Sequence, residues 1–323
     1  MDTLARRPRY GRISTGRRVA PTEADVLTFE VLHRHGPLPS TFIHQFTKRV
    51  RQSEGRTKER LGHLYHEDNT PHGGPYLDRP WQQWQTMNAR YQPAVSEVTP
   101  YAEQVLKERG LLAEGFKPQT RVQYAHRFMV ACITALIELA TKEDPNLRFI
   151  SQQEILARSP NKTLEIPCSI SYTNERTRKR QTLEKPLIPD AIFGIEYGQG
   201  NHRFFMLEAD RDHEPIRRAD LQETSYLRKM LQYREVIEKG LYKQHFGMTA
   251  GMLVLNVTTN FQHMHNIVEL VSEITNGRGS PYLLFKTMPQ FGKYLTVPPI
   301  SDELLTDPWR RSSFDSLRIN SAK

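Results

Sequence analysis

Asp190, Glu208 and Asp210 lie at the two ends of one stretch, Leu187-Ile188-Pro189-Asp190 through Leu207-Glu208-Ala209-Asp210-Arg211. Two β-rich runs flank the turn residues Gly198, Gln199, Gly200 and Asn201, the pattern of a hairpin. Pairing the strands symmetrically about Gly200 sets Asp190 opposite Asp210 and Ile192 opposite Glu208. Side-chain alternation then puts Asp190, Glu208 and Asp210 on one face. Carboxylates this close raise one another's pKa unless a cation neutralises them. A hard divalent ion, Mg²⁺ or Mn²⁺, takes carboxylates, waters and phosphate oxygens as ligands, activates water and stabilises a departing oxyanion. Asp190, Glu208 and Asp210 are therefore the expected metal ligands. A register slip of one residue would scatter them to opposite faces.

A helix expected over Ala219 to Tyr242 carries Gln222, Tyr226, Lys229 and Tyr233 at spacings of four, three and four, which share one face. The tyrosines also suit an ordinary amphipathic helix lying on a sheet. A lysine on that face could neutralise phosphate or orient an attacking water. Further on, His263-Met264-His265 matches the His-hydrophobic-His pattern of single-strand-nicking relaxases, which use a tyrosine nucleophile. Those histidines need a strand to converge on one metal, and Ile267, Val268, Leu270, Val271 and Ile274 instead predict a helix that begins at the pair.

Pro189-Asp190, the Leu207 to Arg211 run, Lys229 and Tyr233 together resemble the replication-relaxation family of mobile-element proteins, over roughly residues 21 to 295. The resemblance implies a C-terminal PD-(D/E)xK nuclease fold, a restriction-endonuclease-like mixed sheet flanked by helices, with Asp190 and Glu208 as metal ligands. It implies Glu154 as the first acidic residue on the opening helix, and Gln222 and Tyr226 as a QxxxY signature. The position two after Glu208, where that pattern has lysine, is Asp210, and Lys229 is the residue that could supply the charge instead.

The elements before this region read as a DNA-binding module. Thr22 caps a first helix that stops at His35-Gly36-Pro37, and Pro39-Ser40 opens a second with Phe42, Ile43 and Phe46 inward. Ser53 or Gly55 precedes a third, the recognition-helix candidate. Residues 48 to 60 hold six basic residues, Lys48, Arg49, Arg51, Arg56, Lys58 and Arg60, against two acidic ones. A solvated helix face explains such a run about as well as DNA contact does. A turn-rich stretch from Thr70 to Pro75, then Tyr76 and Leu77, suits a β-wing, followed by a short strand and a Thr99-capped helix. The block resembles a winged helix-turn-helix, with Trp81 and Trp84 filling the seam between wing and core. The basic segment Asn174 to Lys185 reads as a loop or hairpin tip, near nucleic acid or, about as well, simply solvated.

The overall fold class is thus α+β or α/β. The expected organisation is a flexible basic arm over 1–20, a winged-helix domain over 21–118, a nuclease-like domain over 119–298 and a tail over 299–323. A net charge of +9 favours an anionic partner, since each cation that neutralises a phosphate releases a counterion. DNA is the expected partner, with a homodimer left open. Cys132 and Cys168 form no CxxC and no disulfide framework, which fits a reducing cytoplasm. No apolar run approaches the ~20 residues that span a bilayer, and the arginine-rich start lacks the apolar stretch of an export signal. A metal-dependent endonuclease, nickase or relaxase of a plasmid, phage or other mobile element is the reading preferred. A DNA-binding replication or transcription regulator with a silent nuclease fold is the alternative.

Overall fold

The computed structural model describes residues 7–87, 91–112, 123–173, 178–293 and 295–321. It separates into two units, Met1–Leu139 with Tyr294–Ile300, and Ala140–Lys293 with Ser301–Lys323.

The first unit runs α1 (Glu23–His35), β1 (Leu38–Pro39), α2 (Ser40–Thr47), α3 (Glu54–His66), β2 (Leu77–Asp78), α4 (Gln83–Thr86), β3 (Val95–Val98), α5 (Pro100–Glu108) and the start of α6 (Tyr124–Glu143). Local chemistry sets these boundaries. At α1, Thr22 and Asp25 form a reciprocal capping box, and Gly36 stops the helix at φ 99°. The Ser53 side chain accepts the Arg56 N–H at the start of α3. The three strands form one small antiparallel sheet in the order β1-β3-β2. Phe29, Phe42, Ile43, Leu64 and Tyr76 are fully buried between helices and sheet.

Three expectations need correction in this unit. Residues 7–20 do not project as a free arm. Arg7 pairs with Glu67 at 2.7 Å, Arg12 donates to the Tyr65 and Leu77 carbonyls and to Asp78, and the Val19 N–H reaches the Asn69 carbonyl. Arginines taken for phosphate ligands thus find acceptors within their own unit. Trp81 is 60% exposed and fills no seam, whereas Trp84 lies against the Tyr10 ring at 4.7 Å. The unit also extends beyond residue 118, because His35 on α1 hydrogen-bonds Thr134 and Glu138 on α6 at 2.8 Å each. The stretch 113–122, where the expected boundary falls, lies outside the described residues.

The second unit continues with β4 (Arg148–Ile150), α7 (Gln152–Arg158), β5 (Ser169–Thr173), β6 (Arg180–Glu184), β7 (Ala191–Glu196), β8 (His202–Asp210), α8 (Tyr226–Glu238), α9 (Leu241–Phe246), β9 (Met252–Thr258), α10 (Phe261–Ile274), β10 (Leu283–Thr287) and α11 (Glu303–Thr306). Its main sheet is mixed, in the order β10-β9-β8-β7-β4. β4, β7 and β8 are antiparallel neighbours, while β9 and β10 run parallel to β8. Parallel neighbours require crossovers, which the α8–α9 segment and α10 provide. Stacked Phe149, Phe193 and Phe205 fill one face of the sheet, with ring centroids 5.3 and 5.1 Å apart. On the other face Gly194 sits under the Phe204 ring, where a Cβ would come within 2.8 Å of it and 3.2 Å of Ile150. Gly194→Ala is therefore expected to destabilise the protein by about 1–3 kcal/mol, read as a lower urea midpoint at unchanged m-value.

The predicted hairpin exists, but it is symmetric about Gln199 rather than Gly200, with Ala191 opposite Leu207 and Glu196 opposite His202. Gly198, Gln199 and Gly200 all take positive φ, at 77°, 51° and 78°, so the turn is centred one residue earlier. The shift moves each partner by two residues, and a two-residue shift preserves the face. Asp190 consequently meets Leu207 and Glu208, its N–H donating to the Leu207 carbonyl, rather than Asp210. Of the Asn174–Lys185 segment, Arg180–Glu184 forms β6, paired antiparallel with β5, and residues 174–177 lie outside the described residues.

The helix expected from Ala219 begins only at Tyr226, after the Ser225 cap, and ends at Glu238. Residues before it are held by the β5–β6 hairpin. The Gln181 amide donates to the Ala219 carbonyl and its oxygen accepts the Leu221 N–H. The expected tail is likewise built in: Trp309 and Ile319 are buried, Trp309 bridges Leu317, and Arg310 bridges Phe285 at the edge of β10. Cys132 and Cys168 are both free thiols. No helix among the described residues is long and apolar enough to cross a membrane.

Candidate functional site

Strand β8 ends in Glu208 and Asp210, where the chain leaves the sheet and three other elements converge. Glu208 is fully buried beneath α8, and its two oxygens are taken by the Lys229 ammonium and the Tyr233 hydroxyl, the latter at 2.8 Å. Lys229 also pairs with Glu214 from the loop after β8. Asp190, at the head of β7, accepts the Ala209 N–H at 2.8 Å. Asp210 accepts from His263 Nε2 at 2.9 Å and from the His213 N–H at 3.2 Å. The neighbouring Asp212 accepts the Thr259 hydroxyl at 2.6 Å, from the turn between β9 and α10. His263 reaches the cluster because Asn260 caps α10 there and places it in the first turn.

The electrostatics follow from placing two buried carboxylates, Glu208 and Asp210, and two half-buried ones, Asp190 and Glu214, around one lysine. Burial pushes Glu208 up to about 7, and Asp190 and Glu214 add to the rise while Lys229 opposes it. Glu214 is raised too, by burial above all. Burial works against the charge of Lys229, but Glu208, Glu214 and Asp190 outweigh it and keep the ammonium protonated. Burial would also raise Asp210, yet the bonds from His263 and His213 leave its carboxyl below the ordinary range. The bond to Asp210 raises His263 in turn. Tyr226 and Tyr233 are raised well above their ordinary values by burial and the surrounding acids.

No protein-family model, curated protein or solved structure matches this chain. What the site can do therefore rests on its own geometry. Asp210, Asp212 and His263 offer ligand atoms that all lie within 4.8 Å of one another, a set able to hold a metal ion. Two carboxylates and an imidazole suit Mn²⁺ at least as well as Mg²⁺. An imidazole ligates through an unprotonated nitrogen, so protons compete with metal uptake at His263. Two buried polar atoms in the same cluster, Glu214 Oε1 and the Tyr226 hydroxyl, have no hydrogen-bond partner among the described residues, as expected where a hydrated ion or a substrate oxygen supplies one.

Of the sequence-predicted residues, the structure brings together Asp190, Glu208, Asp210, Lys229, Tyr226 and Tyr233. The group whose atoms could share an ion, Asp210, Asp212 and His263, has only Asp210 in common with the expected ligands, while Glu208 is engaged by Lys229 and Tyr233 and Asp190 accepts a backbone N–H. Gln222 is excluded from the helix face: it is exposed, precedes α8, and its carbonyl accepts from Arg228. Glu154 is excluded as well. Its carboxylate closes the capping box with Ser151 and pairs with Arg148, which lies opposite Glu196 at the far end of β7 from Asp190. Asp212 and Glu214 were missed, although the alternation Asp210, Asp212, Glu214 directly after a strand was a legible signal, and His263, singled out with His265 in the sequence and then set aside, joins the cluster without His265. His263 and His265 go separate ways on α10, the latter to Glu269 at 3.1 Å, as a helix rather than a strand requires.

The basic run also divides. Asp25, fully buried on α1, accepts from Arg51 at 3.0 Å and from Arg60 at 2.6 Å, so both arginines are structural. Lys58 pairs with Glu54 at 2.7 Å on the exposed face of α3. Lys48, Arg49 and Arg56 are exposed.

Proposed function

We propose that the protein is a DNA-binding, metal-dependent endonuclease of nickase or relaxase type, acting in the cytoplasm on the DNA of a plasmid, phage or other mobile element. The observation that carries this reading is the convergence of Asp190, Glu208, Asp210, Asp212 and His263 with Lys229 at the end of β8. The antiparallel β4-β7-β8 meander joined to a parallel β9 across α8 supports a nuclease-like sheet of the PD-(D/E)xK kind. In the first unit, three helices and a three-stranded sheet in the order α1, β1, α2, α3, β2, β3 support a winged-helix reader with α3 as its recognition helix. The chain thereby keeps its likeness to the replication-relaxation family as part of the proposal.

Asp210, Asp212 and His263 would hold the divalent ion, which when bound supplies a Lewis acid for phosphate and a lowered pKa for water. The chain's own groups do the rest. Lys229, kept protonated by its acids, offers positive charge to a phosphoryl oxygen as negative charge grows there. Tyr233 fixes the orientation of Glu208, and Thr259 that of Asp212. Incubating the protein with supercoiled DNA and Mg²⁺, Mn²⁺ or chelator tests the reading: nicked circles should form with metal and not with chelator.

One observation favours the regulator without chemistry. Lys229 already satisfies Glu208 and Glu214, so this part of the cluster is neutralised from within. Sequence-dependent binding with neither metal uptake nor nicking would select that reading.

DNA binding itself is expected to use the exposed cations of the run. Arg49→Ala with Arg56→Ala should weaken binding and flatten the slope of log K against log salt by roughly 0.9 for each phosphate left without its arginine. Arg60→Ala should lower the melting temperature instead, since it strips a partner from buried Asp25. An unchanged salt slope in the double variant would remove α3 from the interface.

A further inference from the structure

On the first unit, a cleft of about 700 Å³ opens between α3, the segment 7–9 and the stretch 91–96 that leads into β3. Arg7, Arg9, Lys58 and Arg79 line it, together with His63 and His66, and Glu59 is the acidic residue of its wall. Two of the cations are balanced, Arg7 by Glu67 and Lys58 by Glu54. Arg79 is not. Its guanidinium donates to the Arg9 carbonyl at 2.7 Å and lies 4.4 Å over the Tyr65 ring, and its Nε is buried with no partner. No carboxylate among the described residues pairs with it.

A half-buried guanidinium without an anion is a costly arrangement, and its neighbours make it costlier. Burial first, then Arg9 and Arg12, depress Arg79 to about 10. Burial and the charges of Arg79 and Arg7 hold His66 near 4, so its ring stays neutral, with Nδ1 accepting the Ile13 N–H. Arg79 is thus a cation on the cleft wall that no carboxylate among the described residues balances. Tyr91, 81% exposed, stands on the wall of the cleft next to Pro93. A concave site of this volume suits a small ligand and is too confined for the face of a duplex.

We propose that this cleft binds one nucleotide of an unpaired DNA strand, with the phosphate on the Arg79 guanidinium and the base against Tyr91. A phosphate supplies the missing anion and accepts from an arginine fork. An exposed aromatic ring takes any base by stacking. The inference rests on nucleic acid being the partner but not on the carboxylate site, and it adds a strand-holding point to a protein that would open or nick DNA.

The test uses the full chain and a fluorescein-labelled 12-nucleotide oligothymidylate at matched salt. Unlabelled thymidine 5′-monophosphate, thymidine, inorganic phosphate and a duplex of equal length serve as competitors. Tyr91→Ala, which removes only an exposed ring, is expected to weaken oligonucleotide binding by about 5- to 100-fold with little change in salt slope. Arg79→Gln should weaken it by at least about tenfold and flatten the slope by roughly 0.7. Arg79 also supports the Arg9 carbonyl, so if this variant melts early the Tyr91 variant decides. Competition by the monophosphate but not by thymidine supports the site, and tighter binding of the oligonucleotide than of the monophosphate identifies a strand as its source. A monophosphate bound as tightly as the oligonucleotide would assign the same pocket to free nucleotides. Unchanged affinity of the folded Tyr91→Ala protein, or inorganic phosphate competing as well as the monophosphate, would overturn the proposal. Because none of these measurements needs metal or cleavage, the result stands apart from the fate of the nuclease reading.

Discussion

Under the proposed function, Asp210→Asn is expected to abolish metal-dependent nicking, a loss on the order of 10³-fold or more, while the DNA binding proposed for the first unit is retained. The substitution keeps size but removes one of the charges that face the ion, and metal catalysis of phosphate chemistry is worth several kcal/mol. Asp212→Asn and His263→Ala should lower Mn²⁺ affinity in the same way, read by calorimetry, because they share the ligand group with Asp210. Asp190→Asn and Glu208→Gln should cut the rate with a smaller effect on Mn²⁺ uptake, since the Glu208 oxygens are engaged by Lys229 and Tyr233. Lys229→Met should slow nicking without changing metal affinity. It should also lower the melting temperature, as two buried acids lose their counter-charge. Full activity in Asp210→Asn would remove this residue from the chemistry. Loss of Mn²⁺ uptake only on changing Asp190 and Glu208 would return the ion to the ligand set expected from the sequence.

The elements that sequence makes legible are those fixed by local chemistry. The Thr22 and Ser53 caps, the Gly36 stop and the apolar period of α10 all lie within a few residues of what they determine. The hairpin was legible in kind but not in register, because its centre depends on Gln199 taking a left-handed conformation that side-chain type does not announce. The start of α8 was misplaced for a different reason. Residues 219–222 have acceptable helix formers, but Gln181 from a distant hairpin claims their backbone groups, so tertiary contact overrides propensity.

The candidate site divides along the same line. Asp190, Glu208, Asp210 and Lys229 could be read from strand alternation and helix spacing. His263 lies 53 residues from Asp210 in sequence, and no periodicity links them. The basic residues show the limit of charge counting. Arg7, Arg12, Arg51 and Arg60 look like a phosphate-binding surface in the sequence, yet each finds an internal carboxylate. Arg79, outside every basic run, finds none among the described residues.

Asp25→Ala is expected to destabilise the first unit by about 3–5 kcal/mol, the largest single effect on its folding. The carboxylate is fully buried and serves three elements at once: it accepts from the Thr22 N–H and hydroxyl at the start of α1, from Arg51 after α2, and from Arg60 on α3. Removing it deletes the helix cap, worth about 1 kcal/mol. It also leaves two partly buried guanidiniums without an anion, and breaking a buried ion pair from one side costs about 3–5 kcal/mol. The pH dependence has a definite sign. Burial alone would raise the Asp25 carboxyl, but Arg60 and Thr22 hold it below its ordinary value, and Glu67, bonded by Thr15 and Arg7, falls to about 2. Groups with depressed folded pKa values stabilise the fold above their unfolded values, near 4, and lose that contribution as pH falls toward the folded ones. The melting temperature of the first unit should therefore hold from pH 7 to about 5 and drop steeply between about 4 and 2. Asp25→Ala should lower the neutral-pH value and make the acid limb shallower, because one of the titrating groups is gone. A wild-type melting temperature that stays flat to pH 2, or a variant as stable as the wild type, would mean that Asp25 does not join α1, α2 and α3 as described, and that Arg51 and Arg60 are free to meet DNA after all.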